Sequence, residues 1–275
     1  MLTALTVTQK TENMWFKKLL NHIKGNKIKV DIKQVRGVTL RHIEYINRIG
    51  KINWNEIDKY VGIQRNHLLC SEYLELPVNM GYKRFESQEF NQRLCTNMAL
   101  YVLGKIENPQ NLNVCFYDIN GENADYLIHL LKYCPEAKVI SDNREMYAKV
   151  SELILEETGI SPIICENVDC IENCDFLIAP CVINERLPIK NQAITLTSAC
   201  PKIAQNGAIY FRYHFKMPNK FETIKPAELS DIYFASALYT KARQHQFGSI
   251  VPMICSNYSG GSRIESICAY FASRA

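Results

Sequence analysis

The chain of 275 residues lacks the features that would place it in or across a membrane. No uninterrupted apolar stretch approaches the roughly 18 residues of a membrane span. The first residues, MLTALTVTQKTENMW, show no basic region followed by a long apolar one, so the sequence predicts no signal peptide. Its eleven cysteines fit a reducing compartment, where they act as small apolar residues. We therefore expect a soluble cytoplasmic protein without a membrane partner.

The sequence also lacks a strong excess of one charge. Its net charge is +4, with 22% charged residues spread along the chain. Such a balance gives no basic footprint for nucleic acid, so we expect no nucleic-acid partner. The densest basic run, Lys17 to Lys29, is predicted to be a solvated face.

Motifs that would name a reaction are missing as well. None of the six histidines lies in an H-E-x-x-H or H-R-D context, and no G-x-S-x-G motif occurs. His214, beside Arg212 and Lys216, is a candidate for acid–base chemistry or anion binding, although a hydrogen-bonded strand histidine is the simpler interpretation. The segment NYSGGSRIE, which contains Arg263, is the best glycine-rich loop before a predicted helix. It suits either an anion or a capped turn.

The first hundred residues alternate helix and strand patterns. Thr11 to Gly25 predicts a capped helix, and KIKVDIKQV a half-buried strand. TLRHIEYINRIG has helical apolar spacing and predicts a helix that ends at Gly50. NWNEIDKYVG predicts a short helix, NHLLCS a strand, and residues 86–106 a long helix.

From residue 112 the pattern changes to compact strand–helix units. Strands are predicted in LNVCFYD, AKVISD, SPIICE, DFLIAP, AITLTS and AIYFRYHF, with connecting helices after the first two. Alternation of this kind predicts a parallel sheet that is covered on both faces. We therefore expect an α/β fold in three parts: a small α/β lobe over 1–110, a three-layer parallel-sheet domain over 111–216, and a helical segment over 217–275 that packs back on the lobes. Its last helix is predicted to start with a capping box at Ser262 and Glu265.

The turn after the first of these strands, NVCFYDINGENADYL, is the decisive motif. Aligned on the expected helix start, Ile119, Gly121 and Ala124 occupy the three positions of a G-x-G-x-x-G/A fingerprint, so the second and third fit and the first does not. Asp118, Glu122 and Asp125 surround a seat that a phosphate needs free of negative charge; Glu122 and Asp125 are expected in the first helical turn. An equally well supported interpretation is that these carboxylates cap the helix themselves and that the turn binds no ligand.

Residues from Val114 to about Phe215 resemble the Rossmann-like NAD(P)-binding superfamily, with a degenerate phosphate loop. Asp142, 21 positions after Gly121, stands where such proteins keep an acidic residue for the ribose hydroxyls, though it also suits a helix cap. Asn143 and Arg144 are similar to the Asn-Arg pair that shikimate-dehydrogenase-like enzymes place beside the adenosine 2′-phosphate. The three-part layout is similar to that family too, but its NVTxPxK substrate motif is absent.

This resemblance implies an NAD(P)-binding, oxidoreductase-like protein with a nucleotide-type ligand, and dimers are common in such architectures. Two alternatives stay open. One is a non-catalytic ligand-sensing or interaction protein whose Rossmann domain has lost its cofactor. The other is a layout similar to S-adenosylmethionine-dependent methyltransferases, although Asn120 and Glu122 stand where those enzymes keep glycines. Neither NAD, NADP nor S-adenosylmethionine is selected by the residues alone.

Ligands of open α/β sheets bind beyond the carboxyl ends of the strands. The candidate ligand-binding residues there are Asn120, Gly121, Glu122, Asp142, Asn143, Arg144, Pro180, Cys181, Thr197 and Ser198. Four thiols, Cys165, Cys170, Cys174 and Cys181, lie within 17 residues. Their spacing matches neither a zinc ribbon nor a ferredoxin, so no metal is expected and packing is the favoured role.

Overall fold

The computed structural model describes residues 1–9, 24–245 and 250–274. The strands are β1 Leu2–Gln9, β2 Lys27–Val35, β3 Val38–Asn47, β4 Leu69–Cys70, β5 Val114–Tyr117, β6 Lys138–Ile140, β7 Ile163–Cys165, β8 Phe176–Ala179, β9 Ile194–Thr197, β10 Ala208–Tyr210, β11 Arg212–His214, β12 Ile254–Ser256 and β13 Gly261–Arg263. The helices are α1 Trp54–Val61, α2 Glu89–Leu103, α3 Leu127–Leu131, α4 Arg144–Thr158, α5 Asn219–Glu222, α6 Asp231–Thr240 and α7 Ile264–Ala272. Most of the predicted helix from Thr11 to Gly25 lies outside the described residues. No helix among those described is long and apolar enough to cross a bilayer.

The chain divides into two compact units. The amino-terminal unit comprises Met1–Ser87 and Lys216–Gly248, and the Rossmann unit comprises Gln88–Phe215 and Ser249–Ala275. This division differs from the expected boundaries at 110 and 216. Helix α2 belongs to the Rossmann unit, where the ring of Phe90 meets that of Phe215 at 5.4 Å. The expected carboxyl-terminal segment is shared between both units, and strands β12 and β13 were not predicted.

The Rossmann unit contains a six-stranded sheet in the order β10-β9-β8-β5-β6-β7, with every pair parallel. This is the doubly wound Rossmann order, and it confirms the predicted three-layer α/β fold with a parallel sheet. On one face, Phe116 stacks on Tyr126 and Phe176 packs on Phe271 of α7. The other face is buried by the turn before β8 and by the irregular connection from 181 to 193.

A separate three-stranded antiparallel sheet, β11-β12-β13, completes this unit. It corrects the expected capping box, because Ser262 is paired within β13 and no side chain caps α7. The loop NYSGGSRIE is therefore the turn and last strand of a hairpin, and α7 begins directly after that strand at Ile264. The Ser262 hydroxyl lies 2.6 Å from that of Tyr210 instead.

The amino-terminal unit has a mixed sheet in the order β2-β3-β1-β4. Strand β1 runs parallel to both β3 and β4, and β2 pairs antiparallel with β3. The predicted helix that ends at Gly50 is wrong, because residues 38–47 form β3. Burial at every second position is seen for Val38 and Leu40 and again for Ile43 and Tyr45. A two-residue turn at Arg36 and Gly37 folds the strand back onto β2. Strand β2 is confirmed as a strand, but the expected half-burial is wrong, because β2 is an edge strand without a buried residue and its Ile32 is 60% exposed.

The β2–β3 turn generates a stability prediction. Arg36 and Gly37 have φ of 46° and 78°, the pair of positive values of a type I′ turn. This left-handed backbone conformation costs an arginine conformational free energy, whereas asparagine adopts it at a lower cost. We expect Arg36→Asn to raise the free energy of unfolding by up to about 1 kcal/mol in urea titrations. Arg36→Ala removes the same charge and keeps the strained backbone. An equal gain in that control would show that charge, and not turn geometry, is responsible.

Candidate functional site

The turn after β5, residues 118–123, is held from inside by a buried carboxylate. The Asp118 side chain is 1% exposed and accepts hydrogen bonds from the Asn123 backbone N–H (2.9 Å) and from the Tyr147 hydroxyl (2.9 Å). The Asn123 amide lies 3.4 Å from its second oxygen. Burial raises the pKa of Asp118, and the hydrogen bonds from Asn123 and Tyr147 oppose that rise. The chain thus places its own anion on a backbone N–H at the point where a Rossmann turn offers donors to phosphate.

The helix after this turn is also unlike a phosphate-binding one. The chain makes a 3-10 turn at Ala124–Tyr126 and then only five residues of α-helix in α3. Glu122 therefore precedes the helical residues, which corrects its expected place in the first turn. Its exposed carboxylate accepts from the Gln92 amide at 3.1 Å. Asp125 does lie in the 3-10 turn.

Gly121 serves packing in this turn. Its φ is +71°, and a Cβ placed on it would lie 2.9 Å from the Cβ of Asn143. The Asn143 amide donates to the Asn120 carbonyl at 3.0 Å, and its oxygen accepts from the Met146 N–H as the cap of α4. Both polar ends of Asn143 are therefore used within the fold, which leaves them unsuited to the 2′-phosphate contact that the resemblance implies.

The turn after β6 is hydrogen-bonded to the turn after β5. The Asp142 N–H and the Ser141 hydroxyl both donate to the Ile119 carbonyl, at 3.0 and 3.2 Å. The Asp142 side chain itself is exposed at the carboxyl end of β6, as a ribose-binding residue would be. Arg144 is exposed and lies 3.4 Å from Glu166 in a surface ion pair. Such a pair contributes little to stability.

The remaining candidate residues line the neighbouring strand ends. The Cys181 thiol donates to the Tyr117 carbonyl at 3.3 Å, and the Thr197 hydroxyl donates to the Cys181 carbonyl at 2.7 Å. Pro180 is buried at the end of β8. Ser198 is 2% exposed, and its hydroxyl has no hydrogen-bond partner among the described residues. The predicted residues of β5, β6, β8 and β9 thus meet along one edge, but most of their polar atoms already bond to one another.

The four clustered thiols pack into one apolar cluster that also contains Leu177 and Ile183. Burial is the main cause that raises the pKa of both Cys170 and Cys181 to about 12, so these thiols are protonated at neutral pH. Within the described parts of the chain, no three His, Cys, Asp or Glu side chains come together as a metal site requires.

The amino-terminal unit contains an open cavity of about 740 Å³ that the sequence did not reveal. It lies where the parallel strands β1, β3 and β4 end, as its lining by Gln9, Lys51 and Ser71 shows. The sequence pattern predicts only one of these strands, because it indicates no element at β1 and a helix over the residues of β3. The available signal was the run of threonine and valine in LTALTVTQ, a β-rich composition.

This cavity, which we call the amino-terminal cavity, combines apolar walls with charged side chains. Its apolar lining includes Leu5, Val7, Ile52, Trp54 and Leu74, and its charged lining is Lys51, Glu75 and Glu228. Neither glutamate forms an ion pair with another described residue. The lining therefore suits a small molecule with an apolar body and a basic group.

A partly buried hydroxyl–imidazole pair adjoins this cavity through Thr6. The Thr6 hydroxyl, which is on the cavity lining, is 2.8 Å from Nε2 of His42. Burial lowers the pKa of His42, while the charge of Glu228 opposes that decrease. The imidazole is therefore neutral at neutral pH and able to orient the hydroxyl by hydrogen bonding.

The packing of Gly121 generates a paired prediction. Gly121→Ala adds a methyl group 2.9 Å from Asn143 at a φ of +71°, whereas Gly159→Ala adds one at a φ of +72° with no atom within 4 Å. Both substitutions carry the same backbone cost of about 1–2 kcal/mol. We expect urea titration to show Gly121→Ala as the more destabilising by about a further 1 kcal/mol or more. Equal losses would show that Asn143 yields freely and that the two turns are not locked together.

The buried carboxylate generates a pH prediction. Because burial raises the folded-state pKa of Asp118, the folded state binds this proton more tightly than the unfolded chain does. Stability from this group therefore falls as pH rises from about 3.9 to the raised value. Compared with Asp118→Asn, we expect wild type to gain stability as pH falls through that window. The gain is about 1.4 kcal/mol per pKa unit.

Tyr147→Phe sharpens this measurement. Loss of the hydroxyl that bonds Asp118 should raise the carboxyl pKa further and extend the window to higher pH. Tyr126→Phe is the matched control, since its hydroxyl donates to the Thr96 carbonyl and not to Asp118. Denaturation curves across the acidic range that run parallel for wild type and Asp118→Asn would contradict the assignment.

Comparison with known proteins gives distant similarities alone. No protein-family model matches the chain, and no curated protein sequence matches it. Among solved structures, L-tryptophan dehydrogenase from Nostoc punctiforme is similar over 86% of this chain and 69% of its own, with 9% identity and a TM-score of 0.35. Quinate dehydrogenase from Corynebacterium glutamicum in complex with NAD is similar over 99% of both chains, with 8% identity and a TM-score of 0.33. Likeness at this level carries no information on function, and it is the strand order of the parallel sheet that makes this chain a Rossmann-like α/β protein.

Proposed function

We propose that this chain is a ligand-sensing or interaction protein whose Rossmann unit does not seat a dinucleotide in the usual pose. The observation that carries the proposal is the Asp118 carboxylate, which is buried in the phosphate-binding turn and takes the Asn123 N–H. A pyrophosphate in that place would meet a negative charge and would lose a donor. Moving Asp118 aside would break its hydrogen bonds from Asn123 and Tyr147, and each buried polar group left unpaired costs about 1–3 kcal/mol.

The ligand of this proposed function belongs in the amino-terminal cavity. A volume of about 740 Å³ lies within the range of small-molecule sites. Its place at the carboxyl ends of parallel strands is where open α/β sheets bind ligands. Glu75 and Glu228 supply two carboxylates against the single ammonium of Lys51, so the preferred ligand is an amine with an apolar body.

NAD(P) binding, with oxidoreductase-like chemistry, is the second candidate. The exposed Asp142 carboxylate at the end of β6 favours it, because this position receives the ribose hydroxyls of an adenosine. The same contact suits the adenosine of S-adenosylmethionine. In this candidate the adenosine half would provide the affinity, so NAD and adenosine would bind about equally well.

Tryptophan fluorescence offers a direct test, because the chain has two tryptophans and Trp54 lines the cavity. In a Trp15→Phe variant, we expect amino acids and aromatic or aliphatic amines to shift the Trp54 emission and to raise the melting temperature. Glu75→Gln or Glu228→Gln should weaken such a ligand about tenfold, since each removes a charge-assisted hydrogen bond of about 1.5–3 kcal/mol. Glu86→Gln, an exposed glutamate outside the lining, is the matched control.

Titration with NAD, NADP, S-adenosylmethionine and adenosine separates the candidates. We expect none of them to shift the Trp54 emission. If NAD stabilises the protein far more than adenosine does, the pyrophosphate has a seat and the proposed function is wrong. If NAD and adenosine act alike and Asp142→Asn abolishes both effects, the second candidate holds.

A further inference from the structure

The antiparallel sheet β11-β12-β13 has one buried and one exposed face. Tyr213 and Cys255 are buried on the inner face, where the Tyr213 hydroxyl donates to the Thr197 carbonyl. Pairing places His214, Ile254 and Arg263 in one row across the sheet. Arg212, Ser256 and Gly261 form the next row on the same side, two residues along each strand. We call this outer side the basic face.

The basic face joins the two sequence segments that were separate anion-binding candidates. Arg212 and His214 come from YFRYHFK and Arg263 from NYSGGSRIE, and all three side chains are exposed. The His214 ring lies 3.0 Å from the Ser256 hydroxyl, which holds it on this face. No ion pair between described residues involves Arg212 or Arg263.

The charge of this region is locally one-sided although the whole chain is nearly balanced. Residues 199–221 and 250–264, which supply all three strands and their turns, contain no aspartate or glutamate. Within these segments a polyanion therefore meets cations and no carboxylate, and the first acidic residue after Arg263 is the exposed Glu265, two residues later. Phosphate contacts of this kind provide most of the non-specific affinity for nucleic acid.

Exposed aromatic rings lie beside the cations. Tyr258, in the β12–β13 turn, is 73% exposed, and its ring meets that of Phe211 at 5.1 Å. The Arg212 guanidinium lies 4.6 Å from the centre of the Tyr258 ring. Ring faces carry negative potential and repel carboxylates, whereas unpaired bases stack on rings and on guanidinium planes. The turn at Gly260 has open space around it, since a Cβ placed on this glycine would have no atom within 4 Å.

We propose that the basic face binds single-stranded nucleic acid, with bases on Tyr258 and Arg212 and phosphates on Arg212 and Arg263. A duplex hides its base faces, and an acidic peptide has nothing to stack. The three short strands span roughly 10 Å across the sheet, so the surface holds a few nucleotides. This site is independent of the amino-terminal cavity and of Asp118.

Fluorescence anisotropy with a labelled oligothymidylate of about 12 nucleotides tests the proposal. The full chain should bind at about 50 mM salt and more weakly at about 200 mM, with a log–log slope near −0.7 per phosphate contacted. Arg212→Ala should weaken binding at least about fivefold and reduce that slope by about 0.7. Tyr258→Ala should weaken binding at least about fivefold without changing the slope.

Arg274→Ala is the matched control. Arg274 is an exposed arginine of the same unit, 4.5 Å from the ring centre of Tyr270, and it lies outside the basic face. Its variant should bind within twofold of wild type, and melting curves should show that all variants are folded. The proposal is overturned if about 100 µM wild type leaves the anisotropy unchanged, if Arg274→Ala loses as much affinity as Arg212→Ala, or if polyglutamate of equal charge competes as well as the unlabelled oligonucleotide.

Discussion

The proposed function of the Rossmann unit depends on a buried carboxylate in the turn after β5. An ionised side chain is expensive to bury unless hydrogen bonds replace its water. Asp118 meets this condition through donors on its own turn and on α4, from Asn123 and Tyr147. Because α4 follows β6, the contact fixes the turn of the first strand against the helix of the second. A turn that is locked in this way is stable without a ligand.

In the proposed function, these hydrogen bonds of Asp118 explain how a chain can keep the Rossmann-like fold without the usual dinucleotide pose. The six parallel strands keep the order that creates a crevice at the switch between β5 and β8. In this crevice, however, the Cys181 thiol already bonds the Tyr117 carbonyl, and Gly121 is packed on Asn143. The space that glycine gives to pyrophosphate in a dinucleotide-binding protein is filled here by protein. A fold does not imply an activity, and the residues at the strand ends decide it.

The parallel sheet could be predicted from the sequence because its strands are buried on both faces. Runs such as VCFY and FLIA are apolar or aromatic at every position. Such a run predicts a strand buried on both faces without any knowledge of residues distant in the sequence. The prediction for β3 was wrong because Leu40, Ile43 and Ile46 fit a helical period. The signal that favours a strand over a helix here is the hairpin turn at Arg36 and Gly37. The hydrogen-bonded conformation of the turn at residues 118–123 could not be predicted either. The direction of Asp118 depends on Tyr147, 29 residues later, and no local pattern encodes that contact.

The basic face shows that the charge pattern of a sequence is likewise a limited guide to the surface that the fold creates. A net charge of +4 over 275 residues correctly describes the average and led to the expectation of no nucleic-acid partner. Binding depends on the local field within about 10 Å, the screening length at moderate salt. Strand pairing sets that field, because it places Arg263 in the row of His214 although 48 residues separate them in the sequence. Two motifs that are weak separately thus form one surface once the register of the three strands is known.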